Sequence, residues 1–443
     1  MTIFTHFITD IIVVAIVLGF MIFVHELGHF IVAKRFGVRV YVFSLGFGKR
    51  IWGFTKGDTD YRISVLPLGG YVKMAGEDPS EPHHDDPGDF LAHPRWQRFI
   101  IAVAGPAMNI LTALVMLAVL YKFHYQKPAY AGQPVRIGEV QPNSPAAKAG
   151  LQPGDLIVRM GNTEHPTWEK VQLSVLMTAR QPIPLEIERD GKLFGATLTP
   201  EAHGEDQVGY AGFAPCWPSV VGQVDSGLPA SRAGLKPGDK LLAVDGKHVP
   251  CWQGLSSLMQ TKAGNAVMLT VERGQEQLQI PVQPVERDEA GEKRWIIGVY
   301  PRMDVVTSLR PGKAVAESWH DNVQSTVVTF EALKRILTRH MSARSLSGPV
   351  GIAQLSGSAY RAGIVPLLSF TAFISLQLGI FNLLPIPMLD GGMILMLFVE
   401  GAMQRDLSLR FKERVVQAGI FLLLLLVVFV TYNDVIKALG GRY

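Results

Sequence analysis

The sequence predicts a multi-domain membrane protein: four transmembrane α-helices with a membrane-associated β element, two tandem β-rich modules and an amphipathic helix. Three observations lead there. Four stretches are apolar enough to cross a bilayer, a polar middle region contains an internal duplication, and the first apolar stretch holds two histidines and a glutamate within five residues. The bulk figures agree. Of 443 residues, 48% are apolar and only 18% charged, and mean hydropathy is +0.21, although long parts of the middle are polar. Spans joined to water-facing modules fit this mixture better than one apolar globule. The net charge of +4 gives no reason to expect nucleic acid as a partner.

A bilayer core takes about 20 mostly apolar helical residues. The candidate spans are roughly Phe7–Ala33, Phe99–Phe123, Val365–Met388 and Val415–Val430. The N-terminus lacks a basic region and a small-residue cleavage site, so it reads as a span and not as a cleavable signal peptide. Lys34, Arg35, Lys49, Arg50, Arg95 and Arg98 lie in or beside the first connection, and Arg405, Arg410, Lys412 and Arg414 in the third. The first ten residues carry no Lys or Arg. Positive residues stay in the cytoplasm. Both connections are therefore expected inside, with the termini and the long middle region outside, in the periplasm of a Gram-negative cell.

The middle region repeats itself. "GEVQPNSPAAKAGLQPGD" from Gly138 and "GQVDSGLPASRAGLKPGD" from Gly222 are 84 residues apart and identical at ten of eighteen positions. That offset suits two whole small domains better than a solenoid. Each copy continues into alternating strands, "DLIVRMGN" with "PLEIER" and "KLLAVDGK" with "VMLTVER". "VGYAGFAP" (208–215) and "IIGVYP" (296–301) are expected to close the copies. The boundaries read as 1–126 for the first membrane half, 127–213 and 214–304 for the two modules, 305–364 for an amphipathic helix and connector, and 365–443 for the second membrane half. In that connector Val315, Trp319, Val323, Val327 and Phe330 recur at helical spacing, followed by Lys334, Arg335 and Arg339. The stripe suits either the bilayer surface or packing onto the second module. Cys216 and Cys251, each in a Pro-Cys-Trp, could pair in an oxidising compartment, but two buried free thiols are the simpler expectation.

The chemistry lies in His25-Glu26-Leu27-Gly28-His29. Residues i and i+4 share a helix face, so two imidazoles can hold one zinc ion beside a glutamate base. Each ionisable group within a span costs at least a few kcal/mol, and a bound dication offsets that. Catalytic zinc takes three protein ligands. Asp390, in "FNLLPIPMLDGG" at the end of the third stretch, reaches a comparable depth and is the expected third ligand. Pro385 and Pro387 break the helix there, which membranes tolerate where a cavity or protein lines the break. His83 and His84 sit in an acid-rich loop and read as solvated.

Taken together, these motifs resemble known families. AGLxPGD before an apolar strand is similar to bacterial PDZ domains, which capture peptide ends by strand addition. HELGH, NLLPIPMLDG, "PLGGYVKM" (67–74), "AGPAMN" (104–109) and "SGPVGIA" (347–353) resemble the site-2 protease family of intramembrane zinc metalloproteases over nearly the whole chain. Met393 departs from the histidine that many relatives carry after LDGG. The resemblance implies one catalytic Zn2+ held by His25, His29 and Asp390, with Glu26 as base. It also implies substrate contacts from Asn382, Pro385 and Pro387, support from Asn109, and a β element at 60–76 that pairs with unwound substrate. The implied protein sits in the inner membrane in contact with lipid. It cuts transmembrane segments of single-span proteins in regulated intramembrane proteolysis, such as an anti-sigma factor after a first periplasmic cut, and remnant signal peptides. A catalytically inactive PDZ adaptor is the alternative. Against it, Glu26 and all three candidate ligands are present together.

Overall fold

A computed structural model describes residues 2–77, 86–131, 133–203, 207–289, 292–302, 304–338 and 348–440. His83, His84, Arg339 and Ser347 lie outside the described residues. The chain divides into two compact units. One comprises Met1–Tyr125, Ser308–Glu331 and Leu346–Tyr443, and the other Gln126–Thr307 with Ala332–Ser345.

Among the described residues of the first unit, four helices are long and apolar enough to cross a membrane: Ile8–Phe36, Arg95–Phe123, Ile364–Asn382 and Arg410–Asp434. The third ends six residues before the Met388 expected from sequence, a correction with a plain cause. A hydropathy window counts Leu383–Met388 as apolar regardless of shape. Pro385 and Pro387 cannot donate to a helical ladder, and residues 383–389 turn before a new helix, Asp390–Met403. Small residues bring the second and third spans together. Ser375 Oγ donates to the Asn109 carbonyl at 2.8 Å, and a Cβ on Gly379 would stand 2.9 Å from the Pro106 carbonyl. Helix Pro349–Ala362 is held by Asp434, whose carboxylate accepts from the Gly348 and Gly351 amides at 3.0 and 2.8 Å.

In helix Pro311–Leu337 the apolar stripe Val315, Trp319, Val323, Val327 and Phe330 is exposed. The small polar face is the buried one. Ser318 Oγ donates to the Leu114 carbonyl at 2.7 Å, and Asp321 and Glu317 accept from Tyr121 and Tyr125 at 2.6 and 3.1 Å.

Strands β1 (Val40–Lys56) and β2 (Thr59–Met74) fold back on each other twice. The first part of β1 pairs with Asp60–Ile63 and also with Gly70–Met74, whereas its second part pairs only with Thr59–Ser64. Gly70–Met74 is therefore an outer edge.

The second unit realises the duplication. The first copy has a four-stranded sheet in the order Thr163–Glu164, Leu156–Met160, Ile183–Arg189, Lys192–Leu198. The second repeats it with Lys247–His248, Lys240–Val244, Val267–Arg273, Glu276–Val282. Phe213–Pro215 pairs with Ile137–Val140, and Val299–Pro301 with Val221–Val224. The shared PGD has a physical reason. Asp155 is fully buried; it accepts Arg189 Nε and Nη2 at 2.7 and 2.8 Å and the Gln152 amide at 2.8 Å. Asp239 does the same with Arg273, at 2.7 Å from both nitrogens, and with the Lys236 amide at 2.8 Å. Each arginine also donates to the Gly of AGL, through Gly150 and Gly234, at 2.8 Å. Such charge-assisted forks lock the loop to the sheet.

The cysteines correct a second expectation: Cys216 and Cys251 form a disulfide, with Cα atoms 5.1 Å apart. They are 35 positions apart, and the chain between them loops out and returns, a proximity that spacing alone does not reveal.

Burial pushes the Asp239 carboxyl up, but Arg273 and the Lys236 amide more than offset it and hold the group below its ordinary value. The stability this gives is present above the unfolded pKa and is lost as pH falls through the folded one. Arg273→Ala should destabilise the second copy near neutral pH. Hydrogen exchange of its sheet in the full chain should read that loss, and the gap from wild type should narrow as acid protonates Asp239.

Candidate metal centre

His25 and His29 sit one turn apart on the helix Thr2–Phe36, and both are buried. A backbone carbonyl only accepts, so the contact of His29 Nδ1 with the Ile101 oxygen at 2.7 Å fixes the proton on Nδ1. Nε2 of His29 is left with a free lone pair. The Asn109 amide lies 3.2 Å from His25 Nδ1, and its Oδ1 has no partner. Amide orientation is set by chemistry. With the oxygen turned to Nδ1, Asn109 accepts the Nδ1 proton and frees Nε2 of His25 as well. Asn109, fully buried on the second span, thus supports the first histidine.

Asp390 opens the helix Asp390–Met403 directly after the broken segment. Its Oδ2 is 3.1 Å from His25 Nε2, its Oδ1 is 3.4 Å from His29 Nε2, and the two Nε2 atoms are 3.2 Å apart. Donors about 2.0–2.2 Å from one tetrahedral zinc ion stand roughly 3.3 Å from one another. Two neutral imidazoles and a carboxylate with these separations fit that ion. Two backbone approaches make the triangle possible. A Cβ on Gly105 would lie 2.2 Å from His29 Nε2, and one on Gly28 would lie 2.4 Å from the Ala104 carbonyl. On the far side, a Cβ on Gly391 would meet the Leu384 carbonyl at 2.1 Å, so LDGG packs back on the unwound turn.

The triad borders a cavity of about 310 Å3. Glu26 lines it from the first helix, and Tyr71, Val72 and Met74 line it from the outer edge of β2. Asn382 is at the wall with Nδ2 3.5 Å from His25, beside Met388, Leu389 and Met393. Pro385 and Pro387 are not brought in. Pro385 is exposed, and Pro387 lies against the backbone at Gly392 and Gly419. Glu77 is a lining residue that sequence reasoning missed. Burial pushes its carboxyl up, and Oε2 accepts the Met74 amide at 3.2 Å. No spacing rule marks it, because it enters through the return of β2 to the first helix.

A pocket in the unit that carries the spans, lined by two imidazoles and three carboxylates, defines a metallohydrolase of the membrane interior. The chain's similarities agree. Residues 13–426 match the family described as Peptidase family M50. The chain is 33% identical to "Regulator of sigma-E protease RseP" of Escherichia coli, covering 97% of this chain and 98% of that one. It is 34% identical to a Vibrio cholerae protein named "Putative zinc metalloprotease", over 95% and 96%. Among solved structures, the PDZ domain of an SdrC-like protein from Listeria monocytogenes aligns with 19% of this chain and 85% of its own length. That alignment has 23% identity and a TM-score of 0.17. The chain belongs to peptidase family M50, the site-2 proteases, and is a zinc metalloprotease.

Two substitutions probe the cradle. Gly105→Ala places a methyl where the imidazoles stand and should strip most of the zinc from purified protein, by elemental analysis. Asn109→Leu should weaken zinc binding about 10- to 100-fold in a chelator competition, as losses of such supporting partners do.

Proposed function

We propose that this chain cleaves peptide bonds in transmembrane segments of single-span membrane proteins, with one zinc ion held by His25, His29 and Asp390. One observation carries the reading: the three donors and Glu26 meet at a single cavity in the unit that contains the spans. When bound, zinc supplies Lewis acidity for activating water and polarising an amide carbonyl. Glu26 takes a proton from the attacking water and returns it to the leaving amine. His29 and His25 are kept in the tautomer that offers Nε2 by the Ile101 carbonyl and by Asn109. Asn382 contacts the substrate backbone or the developing oxyanion. Pro385 and Pro387 act indirectly, by keeping 383–389 out of a helix.

A substrate helix hides its carbonyls and must unwind before attack. The outer edge of β2 is suited to receive it. The Ala75 amide bonds the Arg39 carbonyl on the β1 side, so the amides of Val72 and Met74, which alternate with it, point away from β1; Glu77 Oε2 holds the Met74 amide there, and a pairing segment displaces it. An extended segment that pairs there regains backbone bonds lost on unwinding.

The positive-residue pattern supports an inner-membrane protein with both termini and the duplicated modules in the periplasm, and with the active site in the cytoplasmic half of the membrane. The exposed stripe of helix Pro311–Leu337 then faces lipid. The two modules, at 127–213 and 214–304, act as tandem PDZ domains that filter substrates by size and take peptide ends. The favoured substrate is an anti-sigma factor already cut outside, with remnant signal peptides as a second group. The curated E. coli relative bears the name of a sigma-E regulator.

Glu26→Gln should keep stoichiometric zinc and lose at least about a hundredfold in cleavage of a truncated single-span substrate; wild-type turnover would remove Glu26 as the base. Asp390→Ala should lose the zinc itself, measured on the same preparation.

A further inference from the structure

The disulfide in the duplicated unit joins two things that matter separately. Cys216 follows Phe213–Pro215, the strand that closes the first copy. Cys251 is the cap residue of the second copy's helix, Trp252–Lys262. Hydrogen bonds surround the bridge. The Trp252 amide donates to the Trp217 carbonyl at 2.9 Å, and Gln253 donates to the Pro215 carbonyl at 2.7 Å and accepts from the Trp217 amide at 3.3 Å. On the other side the Cys216 amide donates to the Arg136 carbonyl at 2.9 Å, in the first copy. Tyr130 packs edge-on against both Trp217 and Trp168. The linker between the copies is therefore gripped by both.

The gripped helix is also a groove wall. Trp252, Leu255 and Met259 face Gly298–Pro301 across a cleft of about 210 Å3. The two sulfurs differ in access. Cys251 is 4% exposed, whereas Cys216 lines a second cavity of about 290 Å3 with Tyr130, Arg136, Trp168 and Pro250.

We propose that Cys216–Cys251 is a reducible staple. Oxidised, it locks the inter-copy linker onto the first turn of the groove helix, so the two copies move as one. Reduced, it frees that turn and loosens the groove. The reductant is a dithiol. Its thiolate attacks Cys216 Sγ from the open cavity, and the S–S electron pair leaves on Cys251 Sγ, which takes a proton. The second thiol of the reductant resolves the mixed disulfide and releases Cys216 as a thiol. Two electrons and two protons pass to the protein, and the reductant ends as its own disulfide. The hydrogen bonds that remain are individually weak and open with the linker. The consequence for catalysis rests on the size-filter reading above: the reduced protein admits substrates that still carry a folded outer domain.

The test uses the full chain in lipid nanodiscs, with and without dithiothreitol, and with thiol alkylation to count freed cysteines. Reduction should free two thiols and speed amide exchange in 213–218 and 252–258 by about tenfold, as expected when a local closure is released. Cys216→Ser/Cys251→Ser should exchange fast in both conditions and ignore the reductant. Cleavage of a single-span substrate with an intact outer domain, relative to its truncated form, should rise several-fold on reduction. Resistance of the bridge to the reductant, or unchanged exchange with two thiols freed, overturns the staple. Faster exchange with an unchanged cleavage ratio overturns its link to substrate entry. If the oxidised protein cuts both substrates equally, the size filter is wrong, and the exchange measurement still decides the staple. If the double variant does not fold, the wild-type reduction arm decides alone.

Discussion

Everything in the membrane unit answers to one constraint: His25 and His29 are buried and Asp390 is half-buried among apolar helices, and each must hold a partner. Unpartnered, such groups cost several kcal/mol in a medium without water. Here the Ile101 carbonyl and Asn109 occupy the Nδ1 positions, and the remaining Nε2 atoms converge on the carboxylate. The donor triangle is thus fixed by the second span as much as by the residues that form it.

That arrangement requires backbones to approach closely, which explains small residues that look unremarkable one at a time. Gly28 lets the second span's Ala104 carbonyl come up to the first helix, and Gly105 leaves room for the imidazoles. The third span contributes by stopping. Because 383–389 is not helical, Asp390 can start a new helix and point back at the histidines, and the same break opens the wall where Asn382 and Met388 line the cavity. Met388 adopts φ +84, an unusual backbone for a side-chain-bearing residue, as local strain at a functional turn often is.

The duplicated unit follows a different economy. Its sheets are water-facing modules whose loops are tied by Asp155–Arg189 and Asp239–Arg273, and whose copies are joined by a short linker and one disulfide. The same motif recurs in both because one buried carboxylate needs one arginine fork and one amide. The grip on the linker has no counterpart in the repeat, since Cys216 and Cys251 both fall in the second copy's segment and appear once.

The sequence by itself determined the elements whose signal is local. These are the four spans, from continuous apolar runs; the duplication, from AGLxPGD at a fixed offset; and the histidine pair, because i and i+4 always share a helix face. Asp390 was also within reach, since an acid beside two prolines in a span demands a reason. What only the tertiary structure decided depends on which backbones meet. Examples are Glu77 at the cavity wall, the place of Asn109 beside His25, the end of the third span at Asn382, the outward stripe of helix Pro311–Leu337, and the pairing of Cys216 with Cys251. Hydropathy and spacing report how a residue relates to its own element. They carry no information on the distance between elements remote in sequence, and that distance makes a donor set, a cavity or a disulfide.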